Sequence, residues 1–120
     1  MRKPISPKVH GIIDYLSSLT LAAAPALLGF RSRKAANLAR SLGAGYTGMS
    51  LGTAYPLGAV KKIPFPAHVA TDAVLGIGFA AAPWLLGFAD DARARNFFLA
   101  MAGISAVVVT LTQARPAARG

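Results

Sequence analysis

The sequence predicts an all-α protein, a four-helix transmembrane bundle made of two parallel two-helix repeats. Three observations carry this. Of the 120 residues, 54% are hydrophobic and 14% charged, whereas about a quarter of a soluble domain is usually charged. The charges gather in short clusters, and the apolar stretches between them approach the roughly 20 residues that a bilayer crossing needs. The chain also matches itself at an offset of 58 residues. HGIIDYLSSLTLAAAPALLGF (10–30) lies over HVATDAVLGIGFAAAPWLLGF (68–88) without a gap, with ten of 21 positions identical. A duplicated unit explains such agreement. One domain, residues 1–120, is expected at this length, with repeat 1 at about 7–57 and repeat 2 at about 66–114.

The first helix is expected near 7–30, opened by Ser6 as cap and Pro7 as a residue pre-set for the first turn. Its basic start resembles a signal peptide. The apolar run is longer than such a segment, carries Asp14 and has a copy later in the chain, so it is expected to be retained. The second helix is expected near 34–57, stopped by Tyr55-Pro56, and the third near 66–88, bounded by Pro64 and Pro66. The fourth is expected near 91–114, from Asp90-Asp91, where the helix dipole favours negative charge, to Arg115-Pro116. Short loops make neighbours antiparallel. Each repeat then crosses twice, so both copies enter from one side, related by an axis along the membrane normal. His10 and His68 share one depth, Asp14 and Asp72 another. Ala44/Ala102 and Gly45/Gly103 extend the offset of 58 into the second helices.

A net charge of +9 raises nucleic acid as a partner. The cationic residues instead fill the gaps between apolar runs, where they flank spans and meet anionic lipid head groups. The bilayer is therefore the expected partner, and nucleic acid is not. Seven Lys and Arg lie on the side of the termini and the middle loop, six on the other, which leans towards cytoplasmic termini. The absence of cysteine excludes disulfides and thiolate metal sites.

The segments AAAPALLGF and AAAPWLLGF resemble the SPW-repeat family of small bacterial integral membrane proteins, in which a Ser-Pro-Trp motif lies in the first of two transmembrane helices per repeat. Ala24 and Ala82 stand where the serine would be. Trp84 keeps the aromatic, and Ala26 replaces it in the first copy. The resemblance implies a multi-pass protein of the bacterial inner membrane and implies no reaction. Pro25 and Pro83 each remove a backbone donor and are expected to kink their helices near the end. Trp84 is expected at the head-group level.

The residues that could carry chemistry are His10 with Asp14 and His68 with Asp72, each pair at i, i+4 on one helical face. Ser17 and Ser18, and Thr71 and Gly76, continue the two stripes, which should face the bundle. A carboxylate at mid-bilayer costs about 2.5–3.5 kcal/mol on insertion scales, and here such a residue occurs twice. Three readings stay open: a structural pair that sets helix register, a metal or haem site, and a path for protons or a small substrate. Two imidazoles and two carboxylates suit iron, manganese or zinc. Gly43–Gly48 spells G-x-G-x-x-G, but inside an apolar helix rather than after a strand. Ala44, Gly48 and Gly52 read better as a small-residue packing face. Tyr15 has Ala73 as its repeat partner, which argues against a paired role. No Ser-His-Asp set, P-loop or H-E-x-x-H is present, so no catalytic residue is named and enzymatic activity stays open. The reading is a membrane protein centred on its His–Asp pairs. Its alternative is an accessory or scaffold protein that acts by helix packing, in a homo-oligomer or with a membrane-protein partner.

Overall fold

The computed structural model describes residues 3–54 and 56–112. They form four helices, α1 (Pro7–Leu28), α2 (Arg33–Leu51), α3 (Phe65–Leu85) and α4 (Ala92–Leu111). α1 opens as its sequence predicts, with Val9 N–H donating to the Ser6 hydroxyl at 3.3 Å and Pro7 in the first turn. α4 opens at Asp91, which accepts from Ala94 N–H at 3.4 Å. α2 stops at Leu51, short of the expected 57. The chain after it pairs with the segment before α3, Ile63 N–H donating to Gly52 O and Ala54 N–H to Ile63 O, both at 2.7 Å. That pairing satisfies backbone groups that a longer helix would have used. Tyr55 and the Arg115-Pro116 stop lie outside the described residues.

The repeated P-x-L-L-G-F ends prove to be helix caps. Gly29 and Gly87 adopt left-handed φ of 68° and 79°, a conformation that glycine enters without steric penalty. Phe30 N–H reaches back to Pro25 O at 3.0 Å, and Phe88 N–H to Pro83 O at 2.8 Å. This closure satisfies carbonyls left over at a helix end. Both prolines are buried, and each helix runs on through its proline to the cap.

α1 packs along α2, and α3 along α4. α2 approaches α1 closely at Gly43, where a Cβ would stand 2.8 Å from Ser18 O. The inner face of α2 is Ala35, Ala39, Gly43, Tyr46 and Ser50. Ala44 and Gly48 point outward and are exposed, while Gly52 is half-buried beside Ile63. Tyr46 stacks on Phe79 at 6.3 Å with the rings 2° from coplanar, and Phe79 meets Phe98, which ties the hairpins together.

Burial is inverted relative to a water-soluble domain. Leu19, Leu27, Val74, Ile77 and Leu85 are each at least two-thirds exposed, while His10 and His68 are fully enclosed. Such continuous apolar exposure marks a surface that meets lipid or protein. By length and composition α1, α3 and α4 are able to cross a membrane. α2 falls outside that set, with Arg33 and Lys34 in its first turn and Arg40 farther in. Four spans were expected; three helices qualify on their own sequence.

The structure also corrects the repeat register. Ser32 and Asp91 cap α2 and α4, a separation of 59. At that same offset Ala35 pairs with Ala94 and Ala39 with Phe98, all fully buried. Lys34 donates to Leu86 O at 3.1 Å, and its counterpart Arg93 donates to Leu28 O at 3.3 Å. The second helices thus correspond at 59, not at the 58 suggested by Ala44/Ala102, because the α3–α4 turn holds one extra residue. Asp91 fills that turn and accepts from Arg31 N–H (2.8 Å) and Ser32 N–H (2.7 Å). Burial pushes its carboxyl up, but the N–H donors of Ser32, Ala94 and Arg31 and the Arg31 charge outweigh this and hold it below the usual carboxylate range.

Candidate functional site

His10 and Asp14 lie on the inner stripe of α1, with Gly11, Ser18 and Leu21. His68 and Asp72 lie on the inner stripe of α3, with Gly76 and Phe79. The i, i+4 spacing faces each pair inward, and packing of the hairpins brings all four residues into one cluster. One donor atom from each lies within 4.8 Å of all the others.

The pairing is crossed. His10 Nε2 is 2.8 Å from Asp72 Oδ2 and 3.3 Å from Asp14 Oδ1. His68 Nε2 is 2.8 Å from Asp14 Oδ2 and 3.2 Å from Asp72 Oδ2. Each histidine thus makes its shorter contact to the aspartate of the other hairpin. The two imidazoles meet edge-on with centroids 5.4 Å apart, and the Phe65 ring abuts His10 at 5.2 Å.

The other nitrogen of each ring is held by a threonine that the sequence pattern did not single out. His68 Nδ1 lies 2.6 Å from Thr53 Oγ1, and His10 Nδ1 lies 2.8 Å from Thr112 Oγ1. Each hydroxyl already donates its proton to a carbonyl, Thr53 to Met49 O and Thr112 to Val108 O. Each hydroxyl has one hydrogen, so where that hydrogen goes to the helix carbonyl the imidazole donates to the threonine from Nδ1. Each Nε2 then faces carboxylate oxygens at hydrogen-bond distance. Two lone pairs cannot oppose each other there without a bridging positive charge. The cluster therefore holds either protons on Nε2 or a cation among the four donors.

The two carboxylates differ. Asp14 engages a histidine with each oxygen, whereas Asp72 presents Oδ2 to both histidines and leaves Oδ1 buried without a hydrogen-bond partner among the described residues. A cavity of about 30 Å³ between α1 and α4 borders both carboxylates, lined also by Ser17, Tyr46 and Ser105. It is on the scale of a water molecule.

Other sequence candidates find their places. Thr71 points outward and bonds within its own helix. Tyr15 donates to Leu57 O at 2.8 Å, fastening the α2–α3 connection. Gly43–Gly48 lies inside α2, with none of the strand-to-helix context of a nucleotide loop. Trp84 is exposed near the end of α3. Thr53 and Thr112 correspond at the offset of 59 and not at 58, which is why the repeat comparison passed over them.

The family model described as the SPW repeat domain matches residues 8–113. The chain belongs to the SPW repeat family. No curated protein and no solved structure matches it. Within this SPW-repeat chain the matched region takes in both hairpins and all six residues of the cluster, His10, Asp14, Thr53, His68, Asp72 and Thr112.

Proposed function

We propose that this SPW-repeat protein is a multi-pass protein of the bacterial inner membrane whose crossed His–Asp cluster binds one divalent first-row transition metal. The observation that carries the reading is the threonine hydroxyl held against each Nδ1. Thr53 and Thr112 lie at hydrogen-bond distance from both Nδ1 atoms, so with each ring proton on Nδ1 both Nε2 lone pairs are aimed at the carboxylates. Metal-bound histidines characteristically donate their second ring N–H in this way. Two neutral imidazoles and two carboxylates leave a charge of −2, which a divalent ion balances. The unpartnered Asp72 Oδ1 adds a further buried donor. Donors around one tetrahedral ion at ~2.0–2.2 Å lie roughly 3.4 Å apart, slightly beyond the 2.8–3.3 Å seen here. Nitrogen and oxygen donors without sulfur suit iron, manganese or zinc.

In this reading residues 1–120 form one transmembrane unit, its hairpins related by an axis along the membrane normal, with the termini cytoplasmic. α2 crosses the bilayer as the partner of α1, although its own sequence is less apolar. Pro25, Pro83 and Trp84 form the opposite membrane boundary. The ion fixes the two hairpins against each other, and the cavity between α1 and α4 offers water a place beside the carboxylates.

Elemental analysis of protein purified in detergent tests this. About one equivalent of iron, manganese or zinc per chain is expected, lost in His10→Ala and in His68→Ala. A metal-free, folded protein that takes up no added metal overturns the metal reading and leaves the cluster as a proton-holding staple or relay. A metal-free chain that co-purifies with another membrane protein supports the scaffold instead, with Ala44 and Gly48 on the contact face.

A further inference from the structure

The outer surface of the first hairpin carries a cationic pocket. At the α1–α2 turn an open polar pocket of about 400 Å³ is lined by Phe30, Arg31, Arg33, Asn37 and Arg40. Arg33, Asn37 and Arg40 fall on one face of α2, at i, i+4 and i+7. Arg40 also borders a second groove of about 330 Å³, which runs between α1 and α2 past Leu19, Ala22, Ala44 and Thr47. One side chain therefore joins a cationic pocket to a mostly apolar groove.

Arg40 stands seven residues after the start of α2, roughly 10 Å along the helix axis. Its side chain is exposed, and neither it nor Arg33 makes a hydrogen bond or ion pair among the described residues. A guanidinium at that depth is costly unless it reaches the interface or meets an anion. Arginine is suited to phosphate because its planar fork bonds two oxygens at once. At the offset of 59, Arg33, Asn37 and Arg40 correspond to Ala92, Asn96 and Leu99 in α4, so duplication alone does not account for the charge.

We infer that this face binds one anionic phospholipid, its phosphate against Arg31, Arg33 and Arg40 and an acyl chain in the groove beside Leu19, Ala22 and Ala44. The continuity of a cationic pocket with an apolar groove fits a molecule with both parts. Lipid binding also accounts for the polar character of α2. It does not depend on the metal reading.

Native mass spectrometry of the protein released from nanodiscs of equal phosphatidylglycerol and phosphatidylcholine tests the inference. Wild type is expected to retain one phosphatidylglycerol. Retention should fall at least several-fold in Arg33→Gln/Arg40→Gln, and in Ala44→Phe, which fills the groove without changing charge. Lys61→Gln/Lys62→Gln, which removes two exposed charges elsewhere, should retain the lipid as wild type does. Equal loss in the lysine variant, or none in the arginine variant, overturns the site. Retention of inorganic phosphate as firm as that of lipid overturns the acyl-chain part. A dimer that Ala44→Phe dissociates while lipid retention stays constant assigns the groove to a second copy instead. Circular dichroism of each variant distinguishes site loss from unfolding.

Discussion

Residues 7–53 and residues 65–112 fold as corresponding hairpins, and they differ where they face outward. Inside, the correspondences are close: His10 with His68, Asp14 with Asp72, Thr53 with Thr112, and glycine caps at Gly29 and Gly87. Even an interior exchange keeps its function. Ser18 donates to Asp14 O within its own helix, whereas the second hairpin has Gly76 there, and Ser105 of α4 donates to Asp72 O at 3.0 Å. A Cβ on Gly76 would lie 2.7 Å from that serine oxygen. Outside, Arg40 of the first repeat corresponds to Leu99 of the second, and Ala26 to Trp84. Close packing and buried polar groups constrain the interior of both hairpins alike, while lipid-facing positions are constrained mainly to be tolerable in their solvent.

The largest effect that could break this equivalence comes from the cluster. His10→Ala and His68→Ala should each destabilise the bundle by about 3–5 kcal/mol, because each leaves buried carboxylates without their counter-group. The double variant should lose clearly less than the sum, since the residues share partners. Unfolding of detergent-solubilised protein with increasing SDS measures both, and additive losses would show two independent pairs.

Next come the residues that hold the cluster. Thr53→Val and Thr112→Val should each cost about 1–3 kcal/mol through an unsatisfied buried Nδ1, by similar amounts if the hairpins are equivalent. Gly76→Ala should cost about 1–3 kcal/mol by overpacking against Ser105. Ser105→Ala added to it should restore part of the loss. Thermal unfolding midpoints compare these variants. A neutral Gly76→Ala would mean that α3 and α4 are less tightly apposed than described.

The smallest effect belongs to the opposite end. Asp91→Ala removes a cap and two loop contacts and should cost about 0.5–2 kcal/mol. The Asp91 carboxyl is lowered in the folded chain, so its contribution is fully present above the ordinary carboxylate value of about 3.9. It is lost as pH falls through the lower folded value. The advantage of wild type over Asp91→Asn should therefore shrink below about pH 4, read from unfolding curves across pH. A constant difference down to pH 2 would remove charge as the cause.

Much of this was legible beforehand, for reasons that particular residues show. A buried helical stripe repeats every three or four residues, so His10–Asp14 and His68–Asp72 announced their inward faces. Ser6-Pro7 and Asp91 announced helix starts, because capping is local chemistry. The P-x-L-L-G-F caps were equally local, yet their prolines drew attention to kinking rather than to the glycine that closes each helix. Thr53 and Thr112 were hidden by one extra residue in a turn. Ala44 and Gly48 had the spacing of a packing face but lie on the outer side of α2, since small-residue spacing does not reveal which of two faces a neighbour takes.

The linear sequence determined the helices, their inward polar stripes and the internal duplication, because each depends on residues within a few turns of one another or on direct comparison along the chain. Tertiary structure alone decided that the pairs cross between hairpins, that a threonine meets each imidazole and that the second helices align at 59. Those features depend on contacts between helices distant in sequence, which no local periodicity encodes.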